Sequence, residues 1–225
     1  MKRFQEKIGV ISQKVIEMGD LTQAMLRASV KGLFGNDEHF LRDLYEQEDR
    51  VNGLEKEIDE ECVTALALFQ PEARDLRFVA SVMRANGDIE RMADHAINIS
   101  HRIHEAASYM LPIDVREHFE ELAETAIAMA GDSVRALISR NPGAAQEVLA
   151  REERADELKD EIVRMLLEYS RQGERDFEKP LNFILTARDL ERVADLATNL
   201  AEDVVYMEQG KDIRHRGRRS PPARE

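Results

Sequence analysis

The stretch DIERMADHAIN, Asp88 to Asn98, recurs as DLERVADLATN from Asp189 to Asn199. Seven of the eleven positions are identical at a constant offset of 101 residues: Asp88, Glu90, Arg91, Ala93, Asp94, Ala96 and Asn98. A chain that repeats itself this closely is built from two copies of one unit, so its fold must be something that can be made twice. Within each copy an acid, a second acid and an amide follow at steps of four. On a helix those side chains climb one face, drifting by about 40° per step. Two oxygen-rich ladders result: Glu90, Asp94 and Asn98 in the first copy, and Glu191, Asp195 and Asn199 in the second.

The repeat extends in both directions. AMLRASVKGL at Ala24 matches AMAGDSVRAL at Ala128 with an offset of 104, and Glu48, Arg50, Leu54, Glu57 and Ile58 return as Glu152, Arg154, Leu158, Glu161 and Ile162. The offset then falls to 101, so the second copy has lost three residues between its second and third helices.

Hydrophobic spacing assigns three helices to each copy. Phe4, Ile8, Ile11, Val15, Met18, Thr22, Met25 and Ser29 alternate steps of four and three, the seam of a helix packed among partners. Gly32, Gly35, Asn36 and Asp37 break it. A second helix, about Glu38 to Phe69, turns Phe40, Leu44, Val51, Leu54, Ile58, Val63 and Leu66 inward. Pro71 suits the first turn of a third helix, which continues to about Ser108. Leu111 to Asp114 form the central joint, with Asp114 placed to cap helix four. Asn141 and Pro142 open helix five and Gln172–Gly173 close it. Pro180 lies opposite Val79, where a helix interior would be disrupted. Helix six is therefore predicted to begin near Lys179 or Pro180, after a linker over 174–178, and to run to about Met207 with Gly210 at its end. The expected architecture is all-α: two antiparallel three-helix bundles, residues 1–110 and 111–210, about a pseudo-twofold axis, followed by a basic tail over 211–225.

Composition narrows the function. A chain with 34% charged and 5% aromatic residues, 6 Pro and 11 Gly suits long helices better than sandwiches or barrels. Its net charge of −13 argues against DNA or RNA as a partner and is neutral or favourable toward cations. The tail holds 6 of the 32 Lys and Arg but 2 of the 45 Asp and Glu, so it is +4 on a remainder of −17. Low apolar content there reads as a disordered, solvated end. No apolar run approaches the roughly 20 residues of a membrane span, the N-terminus carries no uninterrupted apolar core of a secretory signal, and Cys62 has no internal partner. A reducing, cytoplasmic setting is the expectation.

The ladders border the hydrophobic face. Val79, Val82, Ile89, Ala93, Ala96, Ile97 and Ser100 define the inward arc of helix three, with Glu90 inside one border, Asp94 on it and Asn98 just beyond. In helix six Phe183, Leu190, Ala194, Ala197 and Ala201 play that part, with Glu191, Asp195 and Asn199 alongside. Half-buried carboxylates of like charge need a counter-charge. Three are conceivable: arginine, a partner's basic residues, or a metal ion. Carboxylate and amide oxygens suit hard cations such as Mg²⁺, Mn²⁺, Ca²⁺ or ferric iron rather than zinc. Helix two can complete such a site with Glu48 and Asn52 in one copy and Glu152 and Asp156 in the other. Arg91 and Arg192 recur too, but point roughly 100° from the acids before them. Met18, Met25 and Met129 read as core filler and His101 with His104 as a surface pair. An E-x-x-H pair expected of a di-iron oxidase and a G-x-x-x-x-G-K-[ST] phosphate loop are both absent from the sequence.

QPEARDLRFV at Gln70, the two ladders in DIERMADHAIN and DLERVADLATNLAEDVVY, and GKDIRH at Gly210 together resemble the PhoU family of phosphate-uptake regulators, over residues 1 to about 215. The resemblance implies paired three-helix bundles in a cytoplasmic homodimer that regulates without enzymatic turnover, as a negative regulator of the phosphate-starvation response. It implies two partners, the ATPase subunit of the phosphate ABC transporter and the phosphate-sensing histidine kinase, through which the chain would be peripheral to the membrane. It also implies metal clusters at E(D)-x-x-x-D motifs, which fall here on Glu48, Glu90 and Asp94, and on Glu152, Asp156, Glu191 and Asp195. Asn52 departs from that pattern where an Asp would stand, and Leu196 stands opposite His95, so the first copy is expected to hold metal more weakly or not at all.

Overall fold

A computed structural model describes residues 2–31, 40–106, 111–171 and 178–213. The breaker cluster after α1, the far ends expected for helices three and five, most of the 174–178 linker, the Phe40 side chain and the tail from Arg214 lie outside the described residues. Seven helices and no strands are present among them: α1 (Lys2–Lys31), α2 (Phe40–Phe69), α3 (Ala73–Glu105), α4 (Ile113–Ser139), α5 (Pro142–Leu149), α6 (Glu152–Arg171) and α7 (Glu178–Gln209). Helices α1, α2 and α3 pack together, as do α4, α6 and α7 with α5 laid on α4 and α7.

Every residue of the α1 seam is buried, as are Val79, Val82, Ile89, Ala93, Ala96 and Ser100 on α3 and Phe183, Leu190, Ala194, Ala197 and Ala201 on α7. The halves join where α3 crosses α7 and α1 crosses α4. Their contacts obey the sequence repeat. Gln23 donates from Nε2 to the carbonyl of Ile127, its own counterpart, at 2.9 Å, so the pseudo-twofold axis passes between them. Gly131 leaves room for the Gln23 amide, which an added Cβ would displace from this position. On the other seam Arg84 pairs with Asp203 at 2.8 Å, and their counterparts Leu185 and Arg102 meet through the Leu185 carbonyl at 3.3 Å. Two arginine clamps repeat as well: Arg50 joins Glu17 and Glu57, while Arg154 joins Glu121 and reaches Glu161 at 4.0 Å.

Four expectations are corrected. The fifth helix is two. Asn141 Oδ1 accepts from the amides of Gly143 and Ala144 and Pro142 takes the first turn, as expected, but α5 ends after Leu149. Arg151 N–H turns back to the Val148 carbonyl at 3.0 Å, and its guanidinium reaches Asp132 on α4 at 2.6 Å, so tertiary pairing fixes the break. Pro71 precedes α3 instead of opening it. Proline disfavours a right-handed helical residue before it, and Gln70 (φ +44°) and Ala73 (φ +45°) take left-handed conformations around the turn. Asp114 is not the cap residue of α4, because Pro112 occupies that position. Its carboxylate instead accepts from Val115 N–H at 3.0 Å and from the Tyr169 hydroxyl of α6 at 3.0 Å. Val63, expected inside, is exposed.

Candidate metal centre

The second copy brings three of the expected ligands to one point. Asp156 on α6 and Glu191 and Asp195 on α7 each place a carboxylate oxygen within 4.8 Å of the other two. Four-residue spacing on α7 sets Glu191 and Asp195 on one edge, and the α6–α7 packing supplies Asp156. Three oxygens at that limit lie roughly 2.8 Å from their common centre, so a small inward shift brings them to the roughly 2.1–2.6 Å of hard-cation bonds. The trio offers neither nitrogen nor sulfur, so the donor set fits Mg²⁺, Mn²⁺, Ca²⁺ or iron and not a structural zinc.

Electrostatics favour a positive occupant. Burial pushes the Glu191 carboxyl above its ordinary range and Asp195 adds to this, against Arg192 and Lys159. Asp156 is also raised by burial first, with Lys159 opposing and Asp195 and Asp160 contributing. Arg192 does not point away as its position suggested: Nη1 lies 2.7 Å from Asp195 and Nε 3.8 Å from Glu191. Its long stem lets the guanidinium fold back along the helix. Glu152 sits a turn before Asp156, half-buried and outside the converging trio. Asn199 is engaged elsewhere, hydrogen-bonding Asp88 across the α3–α7 seam.

The first copy gathers acids, but among the described residues no three of its carboxylate or imidazole ligand atoms converge as those of the second do. Burial raises Glu48, with Asp94 and Asp49 adding and His101 opposing. Burial raises Glu90 too, helped by Asp94, Glu55 and Glu48. Asp94 and Asn98 are exposed, and Asn52 holds the place of Asp156. Arg91 turns to Asp88 at 3.1 Å, and His101 to the Tyr45 hydroxyl at 2.5 Å. His95, opposite the buried Leu196, places Nδ1 3.0 Å from Asp189 on α7.

Two residues that sequence reasoning passed over matter most. Glu55 and Lys159 occupy the same repeat position, three residues after Asn52 and Asp156 respectively. That spacing on one helix face was the available signal.

A family model described as the PhoU domain matches residues 15–103 and again 119–204. The chain belongs to the PhoU family. Among PhoU relatives, the "Phosphate-specific transport system accessory protein PhoU homolog" of Rhizobium meliloti is 29% identical over 210 residues, covering 93% of this chain and 89% of that protein. The corresponding homolog 1 of Thermotoga maritima is 26% identical, covering 94% of this chain and 91% of its own. A crystal structure of PhoU from Pseudomonas aeruginosa superposes with a TM-score of 0.87 at 27% identity, covering 92% of this chain and 100% of that one. PhoU from Streptococcus pneumoniae shares the fold, with a TM-score of 0.85 at 22% identity over 93% of this chain and 99% of that one. Among the described residues no helix is long and apolar enough to cross a membrane.

Proposed function

We propose that this chain is a non-enzymatic, cytoplasmic regulator of phosphate transport that represses the starvation response while phosphate is plentiful. The observation that carries the reading is the PhoU domain matched twice, once in each bundle, in a chain whose relatives are named as phosphate transport accessory proteins. As an adaptor it docks its helical faces on the transporter ATPase and on the sensor kinase, and it works as a homodimer. Such coupling requires that it bind one state of a partner more tightly than another. Deleting the gene tests this: phosphate-responsive genes are expected to be expressed even in high phosphate, and unaltered repression would contradict the role.

In the same proposal Asp156, Glu191 and Asp195 hold a hard cation, with Glu152 close by, while Glu48, Glu90 and Asp94 form a weaker counterpart. Asn98 and Asn199 lie at the ladder ends. A bound cation would neutralise carboxylates that burial leaves strained for charge and would tie α6 to α7. A second reading is favoured by one contact: Arg192 already pairs with Asp195 at 2.7 Å, as it would in a metal-free structural bundle. Thermal stability before and after chelation separates the two, since only the metal reading expects a loss.

A further inference from the structure

The first acidic face runs one turn further than the second. Beyond Glu90 it continues to Asn86 on α3 and Asp59 on α2, where the second copy has Ala187 and Val163 at the same repeat positions. Asn86 is 1% exposed. Its amide nitrogen donates to the Glu55 carbonyl at 2.8 Å and to Asp59 Oδ1 at 2.9 Å, so the side chain is aimed between α2 and α3 at the foot of the acidic face. Its oxygen finds no donor among the described residues. A buried acceptor left unpaired costs about 1–3 kcal/mol. Above it Glu90 is near enough to be acted on by Asp94, Glu55 and Glu48. From Glu48 to Asp59 α2 rises about 16 Å, so these acids form a track and not a point. Tyr45, 44% exposed and edge-to-face with His101, stands at the other end of the track. The cations close by are few: Arg91 is turned to Asp88, and the exposed Lys56 stands one residue on from Glu55, about 100° round the helix.

We propose that the groove between α2 and α3 docks a basic helix of a partner protein, one that carries Arg or Lys along a single face. A single cation serves only oxygens that converge on it, as Asp156, Glu191 and Asp195 do within 4.8 Å. Basic side chains three and four residues apart on a helix instead stand about 5–6 Å from one another, the spacing of carboxylates one turn apart along α2 and α3. A helix laid in a groove is anchored at just such positions. Its charges meet Glu48, Glu55, Glu90 and Asp94, its lowest donor meets Asp59 and the unpaired Asn86 oxygen, and the exposed Tyr45 ring offers a guanidinium a face to lie on. On the second face Lys159 and Arg192 already stand against the acids, so the same helix is disfavoured there. The inference rests on the adaptor reading for the existence of a partner and adds which face meets it and by what chemistry.

The test is fluorescence anisotropy of the full chain with a labelled alanine-based peptide of about 18 residues whose arginines fall at i, i+4, i+7 and i+11, set against a peptide of the same composition with its arginines dispersed around the helix. At about 0.1 M salt the one-faced peptide is expected to bind about tenfold more tightly than the dispersed one, and about 0.5 M salt should remove the difference. Glu55→Lys, a residue the second copy accommodates as Lys159, should weaken binding about tenfold. Glu124→Lys makes the same change of charge on the exposed face of α4 and should leave binding within about twofold of wild type. Asn86→Ala, the residue of the second copy, should weaken it about fivefold with helicity unchanged by circular dichroism. The assay uses purified protein and no phosphate response, so its failure is separate from that of the regulatory reading, which the gene deletion tests. Equal affinity for the two peptides, equal losses in Glu55→Lys and Glu124→Lys, or wild-type affinity in Asn86→Ala would each overturn the proposal. So would manganese bound at this face with no peptide binding, which would make a metal ion the occupant.

Discussion

Glu55 on α2 and Lys159 on α6 hold one repeat position, and the exchange of acid for cation there separates the two acidic faces. In the first copy Glu48, Glu55, Glu90 and Asp94 act on one another, with His101 opposing Glu48 and Arg91 opposing Glu90. In the second, Lys159 and Arg192 sit against Asp156, Glu191 and Asp195. The first face has the larger unmet negative charge. The second has the better geometry, because Asp156 replaces Asn52 and completes a converging trio. Duplication thus preserved an acidic edge while letting charge and convergence diverge, which means neither alone measures how well a face holds a cation.

The largest expected difference between the copies lies in their cores. Phe119, fully buried and packed edge-to-face against Phe183 with centroids 6.0 Å apart, is the counterpart of Val15. Phe119→Ala should cost about 3–5 kcal/mol, and Val15→Ala about 1.5–2 kcal/mol, in urea unfolding. Equal costs would mean that the second core closes around the lost ring. Next comes the cation itself. Manganese at a hundred times its dissociation constant should stabilise the protein by about 2.7 kcal/mol. Glu191→Gln should abolish most of that gain and Glu90→Gln little of it, as followed by thermal unfolding with and without chelator.

Exchanging the divergent position sharpens the contrast further. Lys159→Glu should tighten cation binding to the second face by about tenfold, or about 1.4 kcal/mol, by removing a competing charge. Glu55→Lys should weaken whatever the first face binds, and titration calorimetry on both variants would show whether the position acts alike in each copy. The smallest effect is on pH. Burial holds Glu191 and Asp156 above their unfolded values, so between those values and the raised ones the folded state carries more protons than the unfolded state. Stability of the metal-free protein should therefore fall as pH rises through that window, and cation affinity should rise with it. Glu191→Gln should flatten the fall, seen in unfolding midpoints across the acidic range.

Much of this was legible in the sequence because helical packing writes itself as spacing. The α1 seam and the buried faces of α3 and α7 follow the three-and-four pattern, and the repeat offsets map directly onto contacts such as Gln23 with Ile127. What was not legible depends on partners distant in sequence. No glycine or proline marks Ala150–Arg151, and the break there accompanies Arg151 reaching Asp132 on another helix. Val63 stands one residue, about 100°, off the buried stripe of α2 that runs through Ile58, Cys62 and Ala65, so apolar character alone placed it inside. Arg192 was misjudged because a helical wheel fixes the direction of a Cβ, not the reach of a guanidinium. Asn199 continues the α7 ladder in sequence, yet the crossing of α3 takes it to Asp88.

The most direct measurement is the metal content of freshly purified wild type, Asp94→Ala and Asp195→Ala by elemental analysis. If a hard cation bridges α6 and α7, wild type carries it, Asp195→Ala loses most of it and Asp94→Ala retains it. Metal content in both variants equal to that of wild type would contradict the assignment of these carboxylates as ligands.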